Sequence, residues 1–125
     1  MRKLDNPCKL APEDKNMPKY LVEATYSDEG LIGLAADGAA RRLRDVKAAA
    51  KSLGGKVESF YFSFGDADAI GIADFPDNAS AAAFSMAATS AGTASVRTTP
   101  LLTIEEADKA IGKLAKAKYR PPGGE

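Results

Sequence analysis

Four side chains on three predicted strands could form a small-molecule site. Glu23 and Arg97 would supply a carboxylate and a guanidinium group, and Tyr61 and Thr99 would supply hydroxyl groups. Opposite charges on adjacent strands can pair directly across a sheet, and a few polar groups converging within an apolar wall are typical of ligand pockets. The alternative is an ion pair that fixes the register of an interface between two copies, where nothing else binds. We favour this second interpretation.

The composition excludes the commonest catalytic groups. The chain has no histidine and a single cysteine, Cys8. Without histidine there is no Ser-His-Asp or Cys-His pair and no usual zinc or iron ligand set. Cys8 lies in a polar segment with no base near it in the sequence, which favours an unreactive thiol. A general acid or base would have to be a group such as Glu23, Tyr61 or Asp68. We therefore predict no cofactor and favour a protein without catalytic activity.

Acidic residues gather around a predicted hairpin turn. Asp66 and Asp68 flank this turn, and Asp74 and Asp77 follow at the far end of the next strand. Two carboxylates so close in sequence could share magnesium or calcium, but a calcium site takes about six to eight oxygen ligands, more than this loop offers. Aspartate is also a favoured turn former. We interpret residues 65–68, the sequence Gly-Asp-Ala-Asp, as a turn and predict no metal site.

One predicted helix carries most of its charge as basic residues. These could bind phosphate or an acidic partner, but basic side chains more often form a solvated helix face. They are Arg41, Arg42, Arg44, Lys47 and Lys51, with Asp45 among them. The whole chain has 17 basic and 17 acidic side chains, so there is no overall field to attract nucleic acid or an anionic membrane. We predict that it binds neither.

The elements that must position these residues alternate between strands and helices. A capping box at residues 103–106 opens the last helix. The predicted strands are 19–26, 56–64, 69–74 and 95–102, and the predicted helices are 31–53, 78–90 and 103–118, the first of them weakened by Gly33 and Gly38. The first six elements follow the split βαβ pattern of an α+β, ferredoxin-like fold, βαββαβ, with an antiparallel four-stranded sheet. Its usual order places the first strand between the third and the fourth, and Pro100 places the fourth strand at an edge.

Strand alternation predicts which side chains lie on each face of the sheet. Tyr20, Val22, Ala24 and Tyr26 share one face of the first strand. We expect Ile70 and Ile72 to join them under the helices. The opposite, uncovered face would then be formed by Leu21, Glu23, Thr25, Tyr61, Ala69, Gly71, Ala73, Arg97, Thr99 and Leu101. In the second strand, Phe60, Phe62 and Phe64 are expected to share a face with Glu58, and Val57, Ser59, Tyr61 and Ser63 to take the other. An open sheet face on so small a domain is expected to pack on a second copy of the chain.

A length of 125 residues predicts one domain. Residues 1–16 mix charge and proline without periodicity and are predicted to be a mobile extension, residues 17–118 to be the folded domain, and the proline- and glycine-rich residues 119–125 to be a disordered tail. A lone cysteine favours a reducing compartment. The chain also lacks a signal-peptide-like N-terminus and a long apolar run, so we predict a cytoplasmic location.

The chain from about Met17 to Ala110 resembles the GYD-domain family. The resemblance rests on MPKYLVEATY, on LGGKVESFYFSFGDAD, and on ADFPDNASAAAFSMAATSAG followed by VRTTPLLT. It implies a ferredoxin-like fold of the dimeric α/β-barrel type, and thus an assembly mode but no reaction. The Gly-Tyr-Asp-like motif of the family lies at the hairpin, where Gly65, Ala67 and Asp68 occupy it and Ala67 replaces the tyrosine. Asp66 lies within the same turn.

These observations predict a non-catalytic, homo-oligomeric module that binds a small ligand or another copy through its open sheet face. One alternative is a cofactor-independent enzyme, similar to small monooxygenases or isomerases of related dimeric barrels, with its pocket between the sheet and the partner subunit. A second is nucleic-acid binding through the sheet. Tyr61 is the only aromatic side chain expected on the open face, whereas RNA-binding sheets stack bases on more than one.

Overall fold

Strands and helices alternate along residues 17–124, which are the residues that the computed structural model describes. The elements are β1 (Lys19–Tyr26), α1 (Asp28–Asp37), α2 (Ala39–Ser52), β2 (Lys56–Phe62), β3 (Ala69–Asp74), α3 (Asn78–Ser90), β4 (Ala94–Leu101), α4 (Ile104–Lys113) and a 3-10 turn (Leu114–Lys116). The predicted extension, residues 1–16, lies outside the described residues. None of the helices within 17–124 is long and apolar enough to cross a membrane.

The four strands form one antiparallel sheet in the order β2-β3-β1-β4. This confirms the predicted α+β, ferredoxin-like arrangement with β1 between β3 and β4 and with a C-terminal helix. β4 pairs with β1 alone and contains Pro100, which lacks the N–H that a second neighbouring strand would require.

The predicted helix 31–53 is divided in two. α1 begins at Asp28, three residues earlier than predicted, because the Ser27 hydroxyl accepts a hydrogen bond from the Gly30 N–H at 3.0 Å and so caps the first turn. α1 ends at Gly38, whose φ of 89° and ψ of 158° interrupt the helix before α2 begins. This confirms the break expected near Gly38, whereas Gly33 lies within α1 without disturbing it.

Aromatic rings and alanines form the core between the sheet and helices α2 and α3. Tyr20 packs edge-on against Phe75 with ring centroids 5.9 Å apart, and Phe75 lies 5.3 Å from Phe84. Ala50 and Ala81 bring the two helices close to these rings. The buried Tyr20 hydroxyl donates to the Asn78 side chain at 2.6 Å, which satisfies the polar end of this core residue.

The predicted orientation of β3 was wrong. Ala69 and Ala73 face the helices with exposed fractions of 1% and 4%, and Ile70 and Ile72 face the opposite side of the sheet. Ala73 shares a core cluster with Tyr20 and Phe75, and Ala69 shares one with Tyr26 and Phe60, so large side chains of neighbouring elements take the space over β3. Gly71 lies on the same helix-facing side, where an added Cβ would meet the Ser59 carbonyl oxygen at 2.6 Å. Hydrophobicity alone had favoured the larger isoleucines for this position.

A β-bulge in β2 also changes the expected pattern. The register with β3 shifts between Val57 and Ser59, so that Val57 packs against the core on the same side as Phe60. The prediction that Val57 shares a face with Tyr61 was therefore wrong, as was the grouping of Glu58 with Phe60. Beyond the bulge, Ser59 and Tyr61 do take the uncovered side, opposite Ile72 and Ile70.

Candidate functional site

The side of the sheet that faces away from α2 and α3, called here the open face, carries the predicted ligand-binding residues. Within residues 17–124, Tyr61 is 70% exposed on this side, and Arg97 and Thr99 are also exposed. Strand register assigns to the open face Lys19, Leu21, Glu23, Thr25, Lys56, Ser59, Tyr61, Ile70, Ile72, Asp74, Ser95, Arg97, Thr99 and Leu101. It combines half-buried aliphatic residues with two groups of charged side chains.

Glu23 and Arg97 form the first charged group. They lie directly opposite each other on β1 and β4, and the Arg97 Nη2 atom is 3.7 Å from the Glu23 Oε2 atom. This distance allows an ion pair but is too long for a hydrogen bond. The Arg97 side chain is 59% exposed, so the pair contributes little to stability. Most guanidinium donors of Arg97 are therefore available to another anionic or carbonyl group.

Register also shows which predicted site residues the fold does not bring together. Tyr61, Ile70, Glu23 and Arg97 form one row across all four strands. With about 4.8 Å between neighbouring strands, Tyr61 and Arg97 stand roughly 14 Å apart at opposite edges of the sheet. Thr99 lies one row away, opposite Leu21. A single chain therefore does not offer Tyr61 and Arg97 to the same small ligand.

A second charged group was not predicted. The Lys19 ammonium lies 2.6 Å from the Glu58 carboxylate and 3.0 Å from that of Asp74, and Asp74 is only 1% exposed. Burial lowers the pKa of Lys19, but the hydrogen bonds to Glu58 and Asp74 outweigh it and hold the pKa above its ordinary value of 10.5. A lysine held in its charged form is an ion-pair partner rather than a base.

The sequence contained part of the signal for this group. Lys19 begins β1 and Asp74 ends β3, and antiparallel pairing of these two strands places them opposite each other. The contribution of Glu58 depends on the bulge between Val57 and Ser59, for which the sequence shows no distinct pattern.

The hairpin motif forms hydrogen bonds with the backbone of β1 and is not part of the open face. The Asp68 carboxylate accepts a hydrogen bond from the Tyr26 N–H at 2.9 Å, and the Asp68 N–H donates to the Ala24 carbonyl at 2.8 Å. Ala67 is 4% exposed, whereas Gly65 and Asp66 are exposed. Gly65 forms this turn without a positive φ, which among the described glycines is confined to Gly38, Gly54, Gly92 and Gly123. The turn therefore ties the end of β1 to the hairpin through Asp68.

Two of the remaining charged candidates have structural partners. Asp77 caps α3 by accepting from the Ser80 N–H at 2.8 Å, and this backbone hydrogen bond lowers the pKa of the Asp77 carboxyl. Arg42 on α2 donates to the Tyr26 hydroxyl at 3.2 Å, with its guanidinium carbon 5.7 Å from the ring centroid. In the described part of the chain, no three His, Cys, Asp or Glu side chains are grouped so that they could hold a metal ion.

The sequence profile of the GYD domain family matches residues 20–111. The chain belongs to the GYD domain family. The match runs from β1 to near the end of α4 and includes both Glu23 and Arg97, which confirms the resemblance inferred from the sequence. No curated protein and no solved structure matched the chain. In this GYD domain, Ala67 stands at a buried position of the motif turn, so its small side chain is part of how the hairpin packs.

Proposed function

We propose that this GYD domain is a non-catalytic module that pairs with a second copy through the open face and binds a small molecule between the two sheets. The observation that carries the proposal is the row formed by Tyr61, Ile70, Glu23 and Arg97. It presents an aromatic hydroxyl at one edge of the sheet, a guanidinium at the other, and an aliphatic and an acidic residue between them.

Face-to-face pairing makes this row complementary to itself. If the two-fold axis runs parallel to the strands between the two sheets, the β2 edge of one copy meets the β4 edge of the other. Tyr61 then faces the partner's Arg97, and Ile70 faces the partner's Glu23. Like charges stay apart, and the aliphatic side chains Leu21 and Ile72 in the adjoining row supply apolar area.

The same geometry creates two equivalent ligand positions, each between Tyr61 of one copy and Arg97 of the other. Arg97 offers donors that its 3.7 Å contact with Glu23 does not use, Thr99 adds a hydroxyl one row away, and Tyr61 offers a ring and a hydroxyl group. This combination suits a small molecule with a carboxylate or another oxygen-rich group on an apolar body.

The alternative, a cofactor-independent enzyme with a pocket between the sheet and the partner, has less support. The candidate acid or base groups are Glu23, Tyr61 and Asp68, and the Glu23 carboxylate is paired with Arg97 at 3.7 Å. Asp68 is engaged by the backbone of β1. Binding without catalysis is therefore the function that the geometry favours.

A thermal-shift screen of small carboxylates and oxygenated aromatic compounds tests the ligand proposal. We expect a compound that raises the Tm of the wild-type protein and loses this effect with Arg97→Ala. The matched control is Arg41→Ala, an exposed arginine on α2 on the other side of the sheet, which should retain the shift. A compound whose shift is the same in both variants would contradict a role for Arg97.

A further inference from the structure

Helix α4 presents an apolar stripe that nothing in the described chain covers. Ile104, Ala107, Ile111 and Leu114 follow one another at steps of three, four and three residues, which is the spacing of a helix-packing seam. Ile104 is 80%, Ile111 62% and Leu114 67% exposed. Among residues 17–124, α4 packs closely only against the 3-10 turn that follows it. Its capping box makes it a well-defined helix nevertheless.

Helix α3 also has an unusually apolar outer surface. None of its thirteen residues is charged, although a helix at the protein surface normally carries charged residues on its outer face. Its outer side is alanine-rich, with Met86 69% exposed. Such a composition favours a helix whose outer surface is covered in the working protein.

An apolar groove runs between α2 and α3 beside this surface. It has a volume of about 450 Å³ and is lined mainly by small and aliphatic side chains, among them Val46, Leu53 and Ala87, together with the charged residues Arg42 and Asp45. Alanine walls leave room for another helix to approach closely, because they carry no long side chains to move aside. The groove thus has the shape and the polarity that the stripe of α4 requires.

We propose that α4 of a second copy of this chain packs into the groove between α2 and α3. The chain's own α4 does not occupy the groove, and a second copy brings together the two apolar surfaces that the described chain leaves unpartnered. Charge supports this choice for the first half of α4, where Glu105, Glu106 and Asp108 can face the basic surplus of α2, whereas the second half carries Lys109 and Lys113. This interface uses the helical side of the sheet and does not depend on pairing through the open face.

Disulfide trapping between two differently labelled chains tests the proposal. In a Cys8→Ser background, one chain carries Ala87→Cys in the groove and the other carries Ile111→Cys on the stripe. Both changes are small and occur at exposed positions. On mixing and mild oxidation we expect a product of twice the 13.1 kDa chain mass, containing one chain of each kind. Docking of α4 should make this mixed product form at least about tenfold faster than the product of a chain carrying Lys109→Cys, because residue 109 lies off the stripe.

Two outcomes would overturn the proposal. Equal trapping of Ile111→Cys and Lys109→Cys would mean that the chains meet by random collision. Efficient linkage within one chain of the double variant Ala87→Cys/Ile111→Cys, with no mixed product, would mean that the groove takes its own α4. Neither outcome bears on the open face, whose test uses residues on the opposite side of the sheet.

Discussion

Lys19 and Asp74 face each other across β1 and β3, with the ammonium nitrogen 3.0 Å from a carboxylate oxygen that solvent scarcely reaches. The second partner of Lys19, Glu58, lies within the bulge of β2. This group ties together three strands at one end of the open face, and it leaves the row of Glu23 and Arg97 as the charged pair that is accessible to a ligand.

Replacing Asp74 by alanine should lower the free energy of unfolding by about 1–3 kcal/mol, because Lys19 loses its buried partner. Chemical denaturation at pH 7 measures this change. Asp66→Ala, at an exposed turn position, is the matched control and should change stability by less than about 0.5 kcal/mol. Equal effects of the two substitutions would contradict the assigned role of Asp74.

The raised pKa of Lys19 also predicts how stability depends on pH. Because the folded protein binds this proton more tightly than the unfolded chain does, the contribution is complete below the unfolded pKa of about 10.5. It is lost as the pH rises through the higher folded value. The stability difference between the wild type and Asp74→Ala should therefore be constant from pH 7 to 9 and shrink above pH 10.5. A difference that grows with alkaline pH would refute this assignment.

Gly38 and Gly33 should respond oppositely to alanine. Gly38 has a φ of 89° and a ψ of 158°, a conformation that a residue with a Cβ avoids, so Gly38→Ala should cost about 1–3 kcal/mol. Gly33 lies inside α1 with open space around its α-carbon, so Gly33→Ala should stabilise by up to about 1 kcal/mol. Thermal unfolding of the two variants measures the contrast. If Gly38→Ala were as stable as the wild type, the break between α1 and α2 would not require glycine.

The Asp68 carboxylate should protect the end of β1. Asp68→Ala removes the acceptor for the Tyr26 N–H, and we expect a loss of about 1–2 kcal/mol together with faster hydrogen exchange at the Tyr26 amide. Asp66→Ala serves as the control within the same turn. Unchanged protection of the Tyr26 amide in Asp68→Ala would show that the hairpin motif does not hold β1.

The parts of this fold that the sequence predicted are those specified by strong local signals. Alternation in β1 correctly separated Tyr20 and Val22 from Leu21 and Glu23, and so placed Glu23 on the face that also carries Arg97. Pro100 correctly marked the edge strand, and the capping box at Thr103 correctly marked α4.

The parts that failed depend on packing between elements. β3 alternates small and branched residues that are all apolar, so periodicity could not decide which set faces the helices. Packing against the aromatic side chains of neighbouring elements selected Ala69 and Ala73. The bulge after Val57, and with it the position of Glu58, also depends on contacts between elements that are far apart in the sequence. The candidate ligand residues lie on the predicted face, but their separation at opposite sheet edges becomes visible only from the full register.

The molecular mass in solution tests the open-face pairing most directly. Light scattering should compare the wild type with Ile72→Arg, in the centre of the open face, and with Ile32→Arg, an equally large change at an exposed position of α1. We predict a wild-type mass of at least twice 13.1 kDa, retained by Ile32→Arg and reduced by Ile72→Arg. A wild-type mass of 13.1 kDa at every concentration, or an Ile72→Arg mass equal to that of the wild type, would contradict the account.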